Sequence, residues 1–255
     1  MMGKTHKVGG ATSGVAILSI LNLLPITINP ITIGIPFLAG NVIGSLIPDI
    51  DHKDSTISKM LWFIAIPVWI LQSILNLIFR NSKSRLAKGI KSTVNHRGFA
   101  HWPSVYILFI LIISIFLFGT RLSNEANLSG ETIDTIQNVV ASTSMKADAM
   151  TNVLMVSVFS FLYGLCFGAL NHIFLDSFNP SGVPLLAPIS FKRIHFANIV
   201  TGMYSPKERI FRVLLILVLF GCIILYVYTS GGNLQEVINT SNLENKVDLI
   251  NSLTN

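Results

Sequence analysis

Six continuous apolar runs, at 11–28, 31–48, 61–79, 102–119, 153–174 and 211–228, punctuate the chain, separated by polar stretches of uneven length. Each run holds 18 to 22 residues, and a helix needs about 20 to cross the hydrocarbon layer at 1.5 Å per residue. The runs are continuous rather than alternating, which argues against spanning β-structure. In lipid a helix satisfies its own backbone donors and acceptors. The pattern therefore predicts an all-α fold, a polytopic bundle of membrane helices. Residues 1–230 would form the embedded domain and 231–255 a polar C-terminal tail.

Lys4 and Lys7 before the first run give the N-terminus a superficial likeness to a signal peptide. No small-x-small cleavage site follows, and the run closes on Thr27, Ile28, Asn29 and Pro30. It reads as an uncleaved first span. Composition agrees: 51% of residues are hydrophobic and 12% charged, where a soluble domain carries roughly 25% charged. The two cysteines, Cys166 and Cys222, lie in separate apolar runs. They offer neither a disulfide framework nor a thiolate metal site.

The net charge of +6 matters through its placement. Residues 80–97 hold Arg80, Lys83, Arg85, Lys88, Lys91 and Arg97, and 177–212 hold Lys192, Arg193, Lys207, Arg209 and Arg212. By contrast, 120–152 carry two basic residues against four acids, and the tail carries Lys246 against Glu236, Glu244 and Asp248. The positive-inside bias puts both basic loops in the cytoplasm, beside anionic lipid rather than nucleic acid. If 61–79 crossed the membrane, Asp49 and the first basic loop would fall on opposite faces. Pro67, mid-run, allows a re-entrant or interfacial helix instead. With that segment not crossing, 15 of the 18 basic residues lie inside. The expectation is about five spanning helices plus one that does not cross.

The same choice gathers the candidate chemistry on one face. Asp49, Asp51 and His52 follow Pro48 directly, at the mouth of an apolar run. His96 and His101 flank a Gly-containing turn, with Arg97 suited to hold a phosphate or carboxylate. His172 and Asp176, four apart at the close of the fifth run, project from one helix face. His6, before the first span, could return to the same place. His195 has no partner at a telling spacing and reads as interfacial. Gly40 and Gly44 precede Pro48, and Gly164 and Gly168 precede His172, at the same interval of four. Small-xxx-small faces let membrane helices approach closely; if these two meet, Asp49–His52 comes beside His172 and Asp176.

Imidazole mixed with carboxylate suits Zn, Mn or Fe. Seven donors (Asp49, Asp51, His52, His96, His101, His172 and Asp176) exceed one tetrahedral zinc and fit two ions sharing a carboxylate, with His6 as a further donor. Such a site activates water and clamps an oxyanion, the logic of metal-assisted hydrolysis. A Ser/His/Asp triad using Ser45, Ser55 or Ser58 competes on paper, but no nucleophile-elbow pattern supports it.

Gly-Ser-Leu-Ile-Pro-Asp-Ile-Asp-His at 44–52, His-Arg-Gly-Phe-Ala-His at 96–101 and His-x-x-x-Asp at 172–176 together resemble the YdjM-type membrane-bound, metal-dependent hydrolases. Thr5-His6 and the Asn-Pro-Ser-Gly-Val-Pro-Leu-Leu-Ala-Pro stretch at 179–188 are similar to that family's N-terminal and post-motif segments. Ala100 departs from its usual Thr or Ser. The resemblance implies a bacterial inner-membrane hydrolase, some relatives of which are linked to the LexA-controlled DNA-damage response. It does not fix a substrate.

The expected protein is thus a hydrolase of the bacterial plasma membrane with one or two divalent ions at the cytoplasmic interface, two being favoured. Asp49 and Asp51 would serve the reaction, Arg97 would hold the substrate anion, and a lipid or other phosphoester would be cleaved. Membrane lipids are the expected partners, and nucleic acid is not. Two rivals use the same residues: a metal-binding transporter or sensor, and a non-enzymatic docking protein for a DNA-damage or division complex.

Overall fold

The computed structural model describes residues 3–24, 28–79, 81, 98–128, 138–197 and 205–253. Among them every regular element is helical, with 177–197 forming turns and no strand beyond one isolated antiparallel bridge between Val183 and Ile194. The helices are α1 (Gly3–Asn22), α2 (Ile35–Gly44), α3 (Thr56–Met60), α4 (Trp62–Ile78), α5 (Pro103–Leu128), α6 (Asn138–Asp176) and α7 (Pro206–Leu253). Among the described residues three stretches, Pro30–Asp51, Met150–Asp176 and Pro206–Ser230, are long and apolar enough to cross a membrane, and Trp62–Ile78 and Pro103–Gly119 are shorter apolar helices. α7 continues without a break past the boundary expected at 230.

Polar and proline signals set the breaks. Asn29 caps the stretch before α2, its Oδ1 accepting from Ile31 N at 2.9 Å and Thr32 N at 3.2 Å, with Pro30 in the first turn. A π-helical turn, Pro30–Gly34, leads into α2, and a 3₁₀ turn, Ile47–Asp51, follows it. A second 3₁₀ turn, Phe99–His101, precedes α5. α4 runs through Pro67 rather than breaking there. Only the sixth residue of the helix, that proline forfeits a single backbone bond at an end where four donors already lack helical partners.

Two parallel helix pairs build the bundle. α2 and α6 pack most extensively, through the two glycine faces. A Cβ at Gly40 or Gly44 would collide with the carbonyls of Phe161 and Leu165, and one at Gly164 or Gly168 with those of Phe37 and Asn41. The second pair is α1 with α7. Thr5 Oγ1 donates to Glu208 Oε1 at 2.8 Å, Thr12 Oγ1 to the Leu215 carbonyl at 3.2 Å, and Ser19 Oγ to the Cys222 carbonyl at 3.1 Å. Donors and acceptors both step by seven residues and stay 203 positions apart. A sustained seven-residue repeat marks left-handed supercoiled packing.

α1 is antiparallel to α2, with Gly10 against Ser45 and Gly14 against Leu38. α5 is antiparallel to α6, with Tyr106 packed near Ala169 and Ile173, and Ser114 Oγ 2.7 Å from Tyr163 Oη. The starts of α1, α5 and α7 and the ends of α2 and α6 therefore share one end of the bundle. α4 stands apart, packed chiefly on α3 and the Ile47–Asp51 turn, with Ala65 its one buried residue.

Candidate metal centre

Four helix ends deliver five polar residues to that shared end. His6 comes from the second turn of α1, Asp49 from the turn after α2, and His101 from the turn before α5. His172 and Asp176 come from the last turns of α6. Their ligand atoms form two overlapping groups that could hold a metal ion: His6 with His172 and Asp176, and His172 with Asp49 and His101. His6 Nε2 lies 3.3 Å from Asp176 Oδ1, and His172 Nε2 lies 3.6 Å from Asp49 Oδ1 and 3.8 Å from Asp176 Oδ2. His101 Nε2 is 3.9 Å from Asp49 Oδ1 and 3.8 Å from Asp176 Oδ2. The His6 and His172 rings stack at 3.7 Å between centroids, with the His101 ring edge-on to His172 at 5.4 Å.

Local structure aims each group. The glycine contact draws the end of α2 against α6, so the Ser45 carbonyl lies 2.7 Å from His172 Nδ1. A carbonyl can only accept, so Nδ1 carries the proton and Nε2 is left bare towards the cluster. Asp176 Oδ1 accepts from Asn179 Nδ2 at 2.9 Å. Asn179 is itself held in the Asn179–Gly182 turn, which closes through Gly182 N to Asn179 O at 3.0 Å with Gly182 at φ +58°. Tyr106 Oη donates to the Ala100 carbonyl at 2.8 Å and pins the turn bearing His101.

His6, His101, His172 and Asp176 are buried, while the Asp49 side chain keeps 20% of its surface exposed. Asp49 also lines a cleft of about 100 Å³ with Gly3, Leu46 and Ser55. His172 Nε2 is buried without a hydrogen-bond partner, while His6 Nε2 lies against Asp176 Oδ1. A bare imidazole nitrogen in a buried polar cluster is costly unless something coordinates it. The donor set therefore fits an imidazole–carboxylate metal site.

The structure brings His6, Asp49, His101, His172 and Asp176 together. It does not bring Asp51 or His52 into either group. Asp51 faces a separate cavity under α4, and His52 is exposed, its Nδ1 accepting from Asp54 N at 3.3 Å. His195 is exposed as well. His96 and Arg97 lie outside the described residues. Glu208 was hidden inside a stretch read only as basic; it is 2% exposed at the start of α7, beside the helix that carries His6. No local sequence signal marks it, because its partner Thr5 lies 203 positions away. Asp49 and His101 at one end also decide the path of α4. A single crossing between them would put these residues on opposite faces.

A helical membrane bundle with a buried His/Asp cluster at one end is the class of protein that fold and site define. The chain matches the model of the YdjM inner membrane protein family over residues 1–233 and belongs to that family. It is accordingly an inner-membrane protein. No curated protein and no solved structure matches it.

Proposed function

We propose that this protein is a metal-dependent hydrolase whose single divalent transition ion, zinc by preference and manganese or iron otherwise, is bound at His172 within the cluster of His6, Asp49, His101, His172 and Asp176. The observation that carries the reading is the buried convergence of three imidazoles and two carboxylates, with the bare His172 Nε2 among them. One ion fits better than two. His172 has one free ligand atom, shared by both groups, because its other nitrogen is engaged by Ser45. Donors bonded to one ion at about 2.0–2.2 Å lie roughly 3.0–3.6 Å apart, close to the 3.3–3.9 Å imidazole–carboxylate separations of the two groups, which meet at His172. Two carboxylates with three neutral imidazoles balance one divalent charge, which a buried site requires. A second ion would need donors such as Asp51 or His96.

The bound ion would supply Lewis acidity and lower the pKa of water at the site. The chain's own residues do the rest. Asp49, at the open edge, meets water and substrate arriving through the cleft. Ser45 fixes the His172 tautomer, and Asn179 orients Asp176. Arg97, four positions before His101 in the sequence, would receive a phosphoryl or carboxylate oxygen. The positive-inside bias favours a site at the cytoplasmic interface, within reach of lipid headgroups. A lipid phosphoester or ester is the substrate class favoured.

Metal analysis of the detergent-purified full chain tests this. Close to one equivalent is expected in the wild type and far less in Asp49→Asn and His172→Ala, with hydrolysis of phosphoester probes lost in step. No bound metal after zinc and manganese are added back would sink the site. Metal retained with no turnover of any ester or phosphoester would leave a metal-binding sensor or transporter.

A further inference from the structure

We infer that the cavity between α4 and the two 3₁₀ turns is an acyl-chain subsite, so that the substrate of the proposed hydrolytic site is a lipid lying with one chain along α4. The inference rests on the hydrolase reading for its headgroup end and on independent geometry for its chain end. The cavity measures about 420 Å³, inside the usual range of small-ligand pockets. Val68, Leu71 and Leu75 form one wall, at i, i+3 and i+7 of α4, and so share one helix face. Ile50 and Phe99 supply the apolar part of the other wall. Asp51 and Gln72 are the polar groups in an otherwise apolar lining.

Two features tie the cavity to the cluster. Both turns serve both places: Asp49 goes to the cluster and Ile50 to the cavity, while His101 goes to the cluster and Phe99 and Ala100 to the cavity. Adjacent residues lie about 3.8 Å apart along the backbone, so the head of a bound molecule can reach the cluster while its tail fills the cavity. The cavity also communicates with the lipid phase. Leu71 lines it yet is 57% exposed, and Phe63, Ile70 and Leu77 on the remaining surface of α4 are exposed too. A helix held to the bundle chiefly along one edge leaves a lateral entrance for a chain from the surrounding bilayer. A soluble substrate would have no use for such a wall, whereas a lipid needs one.

The test uses the full-length protein in nanodiscs containing phosphatidylglycerol with a diazirine at mid-chain. After irradiation, labelled residues are mapped by mass spectrometry, and metal content is measured on the same preparations. Labelling concentrated at Val68, Leu71, Leu75 and Phe99, several-fold above Phe63, Ile70 and Leu77, is the expected result. Val68→Trp should cut labelling at the lining at least fivefold, with the metal equivalent retained; Leu71→Trp should do the same should the first variant purify poorly. Ile70→Trp, on the outer face, should leave the pattern unchanged. Equal labelling around α4, or a lining signal indifferent to both tryptophans, would overturn the subsite. Those outcomes are separable from failure of the metal reading, because His172→Ala is expected to lose the ion yet keep the labelling pattern.

Discussion

The α2–α6 and α1–α7 pairs are both parallel and both present polar residues at the same end, but they are held in different ways. At α2–α6 four glycines allow backbone to touch backbone, and the carbonyls of Phe161, Leu165, Phe37 and Asn41 occupy the space where side chains would be. At α1–α7 the helices meet through a ladder of hydroxyls, each reaching across at an interval of seven. Lipid tails are as apolar as leucine, so neither pair gains a hydrophobic drive from its partner's surface; close packing and interhelical hydrogen bonds do the work. The glycine contact is all-or-none, since any Cβ overlaps main chain that cannot rotate away. The ladder is divisible, because each rung can be removed alone. The difference places geometric demand where the ligands are: Ser45 and His172 belong to the glycine pair.

The sharpest way to break this contrast is to put a side chain into the glycine face. Gly168→Leu should separate α2 from α6, withdraw the Ser45 carbonyl from His172 and abolish metal binding. Overpacking costs about 1–3 kcal/mol and sometimes more, and here the obstruction is backbone. Metal content and detergent-phase thermal melting of Gly168→Leu beside Gly221→Ala check the claim. Gly221 has open space around it and should change little. Equal metal in both variants would mean that the glycine face does not set the site.

How much of this was legible beforehand depends on whether the physics was local. The glycine spacing and the His-x-x-x-Asp interval are properties of single helices, and both are readable from the sequence. So was the shared face of His6, Asp49, His101 and His172, because charge bias and the position of Pro67 limit where each loop can lie. The role of Glu208 was not, since it depends on α1 and α7 meeting across 203 positions. Nor was the parting of Asp49 from Asp51. Two residues apart on a short 3₁₀ turn, they diverge to cluster and cavity, and only the docking of α4 and the Phe99–His101 turn decides which goes where.

An intermediate effect is expected at the top of the ladder, where the hydroxyl meets a buried carboxylate. Thr5→Val removes the donor at 2.8 Å from Glu208 and leaves that oxygen desolvated, a loss of about 1–3 kcal/mol. His6 is the next residue, so the ion should also be held more loosely. Thermal stability and zinc affinity of Thr5→Val are predicted to fall together, and Thr5→Ser should recover both. A stability loss with unchanged affinity would show that His6 is placed by its stacking on His172 instead.

The smallest effects belong to the middle rungs. Thr12 and Ser19 each also donate to their own helix, at 2.8 Å to the Val8 and Val15 carbonyls. Their bonds to α7 are therefore shared, and the acceptors Leu215 and Cys222 are carbonyls already used within a helix. Interhelical bonds of this kind average about 0.6 kcal/mol in membranes. Thr12→Val and Ser19→Ala should each cost no more than about that, add nearly independently because two helical turns separate them, and leave metal content unaltered. A double variant that unfolds outright, or that loses its ion, would show the ladder to be as indivisible as the glycine face, and the two helix pairs would then be one cooperative unit.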